Sequence, residues 1–277
     1  MIGVIQALNE IDYLEASIRS LQGLCEPIIV FEATSHFVHD YLLGEGLITP
    51  DGLSTDGTTE LLERKAGQGE IVYHPIGNFV GTVEWILLKI ALDYTPVGEY
   101  FCWLTGNEVL LPQTQERIRQ AIQLEHPVTV GLEPVTLWKT PQWRIYGRGW
   151  SNLYLWKVMY HRRDSAILDE KRSLHLGPAH HGDPFVGLDR AYLKLPFVRD
   201  PERVYHKIAW QEIYFGERLD HLGPYRSLRD YVTRTSHWFT EIHDEGVSVV
   251  PCPVEIPAWV PVPDDLVEYD PEEQGWD

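Results

Sequence analysis

The segment FCWLTGNEVLLP, residues 101–112, sets four apolar residues ahead of a short polar notch and a second apolar run. Phe101 to Leu104 have the character of a strand buried on both faces, and Pro112 suits the first turn of a following helix. The notch itself consists of Thr105, Gly106, Asn107 and Glu108. An open parallel sheet binds ligands beyond the carboxyl ends of its strands, so the notch is the first candidate for a functional site.

Strands and helices alternate through the first half of the chain. Short apolar runs predict strands at 2–7, 27–31, 71–73, 100–104 and 128–131. Apolar residues at helical spacing predict helices at 11–21, 58–65, 82–92 and 112–124. This alternation favours the α/β class, with a mainly parallel sheet flanked by helices. Residues 33–53 interrupt it and are predicted to be a loop insertion, which at this length is usually functional or mobile.

Composition limits the class of protein and its partners. The chain has 277 residues, 44% of them hydrophobic, which is ample for a core. Its formal net charge of −18 disfavours binding to duplex nucleic acid or an anionic membrane, although a local basic groove stays open. Three widely spaced cysteines predict neither a disulfide framework nor a structural zinc site. The N-terminal MIGVIQALNE has the features of neither a signal peptide nor a membrane span, so we expect a cytoplasmic protein.

Polar side chains follow three of the predicted strands. Asn9 and Glu10 come after the first strand, Glu32 ends the second, and the notch ends the fourth. Taken singly, each has an ordinary structural explanation as a cap, a solvated acid or an ion-pair partner. Together they would offer acceptors to one crevice, where carboxylates and amides can hold a base, a ribose or a hard cation with its phosphates.

The most specific local string is Ser54-Thr55-Asp56-Gly57-Thr58, ahead of a predicted helix. It predicts a tight turn followed by the free N–H groups of a helix start. Such a start suits an anion or a network of ribose hydroxyls, and a plain capped helix is the alternative.

These motifs, in this order, resemble those of family 2 glycosyltransferases, which have the GT-A fold. The resemblance rests on Ala7-Leu8-Asn9-Glu10, on Glu32, on Ser54–Thr58 and on WLTGNEVL at 103–110, and it covers residues 2 to about 124. It implies a Rossmann-like sheet with a C-terminal acceptor-side lobe. We therefore expect a nucleotide-sugar half at 1–135, an acceptor-side half at 136–250 and a Pro-rich acidic tail at 251–277.

The resemblance also implies an enzyme of the hexosyltransferase type. Its donor would be a nucleotide-diphosphate sugar, with UDP or GDP as the nucleotide, and the acceptor is not indicated. The residues implied around the nucleotide are Ala7, Asn9, Glu10, Glu32 and Asp56. Lys89, on the predicted helix at 82–92, either contacts a phosphate of the donor or is a solvated helix lysine.

The notch departs from the family pattern, which has aspartates where Thr105 and Asn107 stand. Those aspartates bring a divalent cation to the diphosphate and so stabilise the leaving group. Three alternatives follow. The chain could bind Mn²⁺ or Mg²⁺ weakly through Asn107, Glu108 and His206. It could neutralise the diphosphate with Arg, Lys or His side chains instead, or it could have lost catalysis and kept binding.

The second half supplies candidates for the remaining roles. Asp183, within HLGPAHHGDPF at 175–185, is the candidate base for the acceptor hydroxyl, with Asp189 in reserve. Glu108, the one anionic residue of the notch, is the other candidate catalytic residue. The Trp- and Arg-rich stretch at 138–163, with Arg144 and Arg148, is either the acceptor region or the core of a second lobe.

Two competing functions stay open at this point. A degenerate GT-A domain would bind a nucleotide sugar or a glycan without transfer, and the neutral Thr105 and Asn107 favour it. A metal-dependent hydrolase or nucleotidyltransferase would use the His-rich segment, but the chain has no HxxxH or HxH pattern.

Overall fold

The computed structural model describes residues 1–147, 154–162, 184–215 and 247–263. The strands of one sheet in these ranges are β1 (Ile2–Ala7), β2 (Ile28–Ser35), β3 (Val72–Phe79), β4 (Tyr100–Thr105), β5 (Glu108–Leu110), β6 (Thr129–Trp138), β7 (Thr140–Gly147), β8 (Leu155–Tyr160), β9 (Phe185–Phe197) and β10 (Val247–Pro251). The helices are α1 (Leu14–Leu21), α2 (His39–Gly44), α3 (Thr58–Gly67), α4 (Val83–Tyr94), α5 (Pro112–Glu125) and α6 (Pro201–Phe215). Of these helices, none is both long and apolar enough to cross a bilayer.

The first half of the chain forms the parallel part of the sheet. Strands β4, β1, β2 and β3 lie side by side, with Val4 opposite Ile29 on one neighbour and Trp103 on the other. The side chains of β1 alternate between two hydrophobic cores: Ile5 packs with α1, and Val4 packs with α4. Helices therefore cover both faces, which confirms the predicted α/β class and the parallel order of these strands.

The second half adds antiparallel strands, so the whole sheet is mixed. Strand β8 pairs antiparallel with β4, and β6, β7 and β10 continue outward from it. Strand β9 lies parallel to β6 and antiparallel to β5. Lys139, with φ of 56°, makes the tight β6–β7 connection, and so short a connection can join only antiparallel strands. Strand β6 also runs across the expected boundary at 135/136.

Residues 33–53 are more ordered than the predicted loop. Strand β2 continues to Ser35, α2 follows, and Ile48 forms a bridge with Ser54. The reason is a small core of Val38, Leu42 and Ile48, which packs against α6 residues from far along the chain. No local pattern in the sequence indicates that support.

The described part of the tail packs on the body without regular structure after β10. Val254, Ile256 and Trp259 contact the core that contains Tyr13 and Val260. The guanidinium of Arg19 lies 5.1 Å from the centroid of the Trp259 ring, which adds a cation–π contact. The tail is thus held by its apolar residues as far as Val260.

Candidate functional site

A cavity of about 220 Å³ lies at the carboxyl ends of β1, β2 and β4. The residues that line it from these strand ends are Gln6, Leu8, Ser35, Thr105 and Asn107. This is the edge at which open parallel sheets bind their ligands. The notch of the sequence analysis therefore faces a cavity.

Aromatic and aliphatic side chains form much of the cavity wall. Trp103 and Trp210 line it, together with Val38, Val83, Leu87, Leu155 and Pro196. Trp103 is fixed in place because its Nε1–H donates to the carbonyl of Trp156, at 2.6 Å. Such a surface suits a flat or sugar-like ligand, whose apolar faces pack on aromatic rings.

The cavity is also rich in positive charge. Lys157, Lys194 and Lys207 line it, and Glu108 is the sole acid among its described lining residues. The chain as a whole has a formal charge of −18. A cluster of lysines against that background indicates an anionic ligand rather than general surface charge.

Glu108 and Lys157 form a buried ion pair in the cavity wall. The Lys157 Nζ lies 2.6 Å from Glu108 Oε2, and their side chains are 1% and 2% exposed. The same oxygen accepts a hydrogen bond from the Thr105 backbone N–H at 2.8 Å. Burial acts to raise the pKa of Glu108, but the charges of Lys157 and Lys194 and the hydrogen bonds from Lys157 and Thr105 together outweigh it, so this pKa lies below its ordinary value. The ammonium also lies 3.5 Å from the centroid of the Trp103 ring.

Glu10 is the centre of a second buried cluster. Its carboxylate accepts hydrogen bonds from Arg199, from Lys207 at 3.0 Å and from the Asn107 amide at 2.8 Å. Burial acts to raise the pKa of Glu10, but the charges of Arg199 and Lys207 and their hydrogen bonds together outweigh it and hold the pKa below its ordinary value. Glu10 thereby joins the end of β1 to the notch and to α6.

The turn at Asp56 continues this cluster. Arg203 donates to Asp56 at 2.7 Å and to the carbonyl of Asn9 at 3.0 Å. Asn9 has a left-handed backbone, with φ of 53°, which asparagine tolerates better than most residues. Its N–H donates to Ser54 Oγ at 2.9 Å, and the Asp56 carboxylate accepts from the N–H of Thr58 at 3.0 Å. Asn9, Glu10 and Asp56 therefore belong to one network, linked through Arg203, Ser54 and Thr58.

Gly106 allows the notch to lie directly over Glu10. A Cβ atom at position 106 would be 2.8 Å from Glu10 Cβ and 2.9 Å from its Cγ. Any side chain there would force Glu10 or the notch itself to shift. The glycine is thus required by close approach.

Glu32 is buried beside Ser54 and, within the described ranges, forms no ion pair with the lysines that line the cavity. Its carboxylate accepts hydrogen bonds from the Ser54 N–H at 2.6 Å, the Thr59 hydroxyl at 3.0 Å and the Tyr73 hydroxyl at 2.6 Å. Burial and the Glu32 carboxylate raise the pKa of Tyr73, which keeps that hydroxyl a donor. Both Glu32 and Ala7 have no exposed surface. Their contacts here hold the α3 turn and the core.

Other predicted site residues lie apart from this network. Lys89 is exposed on α4 and pairs with Asp93 at 3.2 Å. His206 shares a 3.0 Å hydrogen bond with the Tyr41 hydroxyl through its Nδ1. Neither residue lines the cavity.

The predicted acceptor side is described only in part. Asp183 and Arg148 lie outside the described residues. Asp189 is exposed on β9 and accepts a hydrogen bond from the Tyr154 hydroxyl. Arg144 is buried on β7, and Trp138 is a core residue packed edge-to-face on Phe197.

The predicted metal ligands are engaged by protein groups. Asn107 Oδ1 accepts a hydrogen bond from Thr105 at 2.9 Å, Glu108 is paired with Lys157, and His206 bonds to Tyr41. Across the described ranges, no group of three His, Cys, Asp or Glu side chains is arranged to hold a metal ion. A cation between Asn107 and Glu108 would also face the Lys157 ammonium. These residues therefore fit a divalent cation poorly.

Sequence reasoning missed the basic residues of the site. Lys157 and Lys194 each interrupt an apolar strand, in LWKVM and YLKLP, and a charge at such a position usually needs a buried partner. Arg199, Arg203 and Lys207 recur every four residues, which places Arg203 and Lys207 on one face of α6. Those two patterns are the signals that would have identified them.

Acid is expected to destabilise the fold through Glu10 and Glu108. Both have pKa values below 4.5 in the folded chain. The stability that their lowered pKa values contribute is complete above the unfolded pKa and is lost as the pH falls through the folded pKa. Asp12, whose pKa is raised by burial, acts in the opposite sense.

Urea unfolding at about pH 6 and about pH 3.5 checks this expectation. The urea concentration at the unfolding midpoint should be lower at the acidic pH than at the higher one. The double variant Glu108→Gln/Lys157→Met, which removes one pair, should show a smaller fall. Equal midpoints for the unchanged protein at both pH values would contradict the assignment.

Comparison with known proteins gives similarity at the level of solved structures alone. No protein-family model matches the chain, and no curated protein sequence matches it. The chain is similar to S. aureus TarS 1-349 in complex with UDP-GlcNAc, with a TM-score of 0.47, 12% identity and coverage of 79% of this chain and 68% of that one. Another S. aureus TarS structure gives a TM-score of 0.45 and 13% identity. The match covers 82% of this chain and 44% of that one, so the chain spans less than half of that protein. HddC from Yersinia pseudotuberculosis gives a TM-score of 0.39 and 9% identity, with coverage of 76% of this chain and 99% of that one. With identities and TM-scores this low, the function of the chain has to be argued from its own site.

Proposed function

We propose that the chain is a glycosyltransferase that binds a nucleotide-diphosphate sugar in the cavity at the ends of β1, β2 and β4. The observation that carries the proposal is the pairing of tryptophans and lysines in one cavity at the ligand-binding edge of the sheet. Aromatic rings suit the base and the sugar, and ammonium groups suit the diphosphate. The motif resemblance to family 2 glycosyltransferases supports the same function and a UDP- or GDP-type donor.

The reaction would transfer the sugar from a phosphate oxygen to an acceptor hydroxyl. The bond between C1 and the phosphate oxygen breaks, and its electron pair leaves with the nucleoside diphosphate. The acceptor oxygen forms the new bond to C1, and its proton passes to a base. We assign that base to Asp183, the sequence candidate. Glu108 acts in this proposal by holding Lys157 in the cavity wall rather than by touching the donor.

Calorimetric titration with UDP, GDP and their sugar conjugates, in EDTA and in Mn²⁺, tests the proposal. We expect one nucleotide series to bind with a dissociation constant of about 1 mM or tighter. Failure of every nucleotide to bind under both conditions would contradict the donor site.

Trp210→Ala locates the bound nucleotide. Because a stacked ring contributes about 1.4 kcal/mol, we expect the affinity to fall about tenfold. Trp259→Ala is the matched control, since Trp259 packs in the tail contact with Arg19 and not in the cavity. Equal affinities for the two variants would place the nucleotide elsewhere.

A non-catalytic binder of nucleotide sugars is the second candidate. The neutral Thr105 and Asn107, hydrogen-bonded to each other, favour it. The two functions differ in release of nucleoside diphosphate from the bound donor, by hydrolysis or by transfer to added glycan acceptors. Sustained release identifies the transferase, and binding without release identifies the binder.

A further inference from the structure

We infer that Lys157, Lys194 and Lys207 form a diphosphate subsite that takes the place of the divalent cation expected from the family pattern. The inference rests on the proposed function, because it names the side chains that would bind the diphosphate part of the donor. It concerns the second of the three alternatives that the sequence left open.

The three lysines reach the cavity from three separate elements. Lys157 lies on β8, Lys194 on β9 and Lys207 on α6. Lys157 is held by Glu108 at 2.6 Å and Lys207 by Glu10 at 3.0 Å. Each of these two ammonium groups is therefore oriented by a buried carboxylate. Such fixed cations bind an anion without first losing side-chain freedom.

Lys194 differs from the other two. Within the described ranges, no carboxylate lies within ion-pair distance of its ammonium group, although it is half-buried and lines the cavity. Its backbone pairs with that of Glu108 across β5 and β9, which fixes it beside the notch. A half-buried cation near two others is unfavourable unless an anion joins them. Of the three lysines, Lys194 is thus the one whose ammonium group forms no ion pair with a described carboxylate and can pair with an anionic ligand.

The notch has the opposite character from a cation site. Thr105 and Asn107 are neutral and hydrogen-bonded to each other, and the one carboxylate, Glu108, is already shared between Lys157 and a backbone N–H. A divalent cation there would have to displace Lys157 or lie next to its charge. A diphosphate needs no such rearrangement, because phosphate oxygens accept hydrogen bonds from ammonium groups directly.

Calorimetric titration with inorganic pyrophosphate in EDTA tests the subsite without the rest of the donor. The unchanged protein should bind pyrophosphate, and Lys194→Met, which keeps the apolar stem, should bind it about 10- to 100-fold more weakly. Lys194→Arg should retain most of the affinity. Arg119→Ala is the charge-matched control on the exposed face of α5, and urea unfolding checks that each variant is folded.

Lys89→Ala tests the competing phosphate contact. The inference predicts an unchanged affinity for pyrophosphate, because Lys89 is exposed and does not line the cavity. A loss as large as that of Lys194→Met would overturn the assignment. So would pyrophosphate binding that requires Mn²⁺, or an unchanged affinity in Lys194→Met.

A parallel titration with UDP and GDP separates this inference from the proposed function. Nucleotide binding that needs Mn²⁺ and ignores Lys194→Met would overturn the subsite and leave the donor site standing. Pyrophosphate binding without any nucleotide binding would support the subsite and overturn the donor site.

Discussion

Replacing Lys157 by methionine is expected to lower the free energy of unfolding by about 3–5 kcal/mol. The variant keeps most of the length of the side chain but leaves the Glu108 carboxylate, which is 2% exposed, without its ion-pair partner. It also removes the ammonium group from the face of Trp103. Water cannot replace the lost charge at so buried a position, so the carboxylate has to become protonated or the wall has to open.

Urea unfolding near neutral pH measures this effect, with Lys89→Met as the matched control. Lys89 forms an exposed ion pair with Asp93 one helical turn away, so its loss should cost less than about 0.5 kcal/mol. The double variant Glu108→Gln/Lys157→Met should regain most of the stability, because removing both charges leaves none unpaired. A loss below about 1 kcal/mol in Lys157→Met would show that the pair contributes little.

Replacing Arg199 by methionine should cost about 3 kcal/mol, at the lower end of the range for breaking a buried pair. Arg199 and Glu10 are each 3% exposed, and the guanidinium also donates to the carbonyl of Asn9 at 3.2 Å. The loss is smaller than for Lys157 because Glu10 keeps Lys207 and Asn107 as partners.

The informative companion is Arg199→Lys. Lysine restores the charge but lacks the planar fork that reaches both Glu10 and the Asn9 carbonyl, so we expect partial recovery. Arg119→Met, on the exposed surface of α5, should change stability by less than about 1 kcal/mol. Full recovery in Arg199→Lys would mean that the charge matters and the bidentate geometry does not.

The parallel half of the sheet is predictable from sequence because its strands carry their own signal. The apolar runs at β1, β2 and β4 are buried on both faces, and the helices between them show one apolar face. In the antiparallel half, β7 and β8 lack this pattern, since they mix Trp and Tyr with charged residues and depend on distant neighbours. The order of residues 33–53 depends in the same way on packing of Val38 and Leu42 against α6.

The candidate site is likewise predictable only in the part that the parallel strands supply. Asn9, Glu10 and Asn107 directly follow strand ends, so the parallel sheet brings them together, and the turn before α3 adds Asp56 to their network. The cations that complete the network come from β8, β9 and α6, and their position depends on which strand pairs with β4. A single sequence gives no register between β4 and β8. That Asn9, Glu10 and Asp56 bind a nucleotide stays a prediction.

The cavity is lined by residues from both halves of the chain, from Gln6 near the start to Trp210 on α6. During translation the first strand is therefore synthesised long before the residues that complete the cavity wall. A nascent chain that ends before Trp210 lacks part of the wall, so ligand should stabilise the protein only after α6 has docked. Ligand binding then adds to the stability of both halves at once, by an amount that grows with the logarithm of ligand concentration.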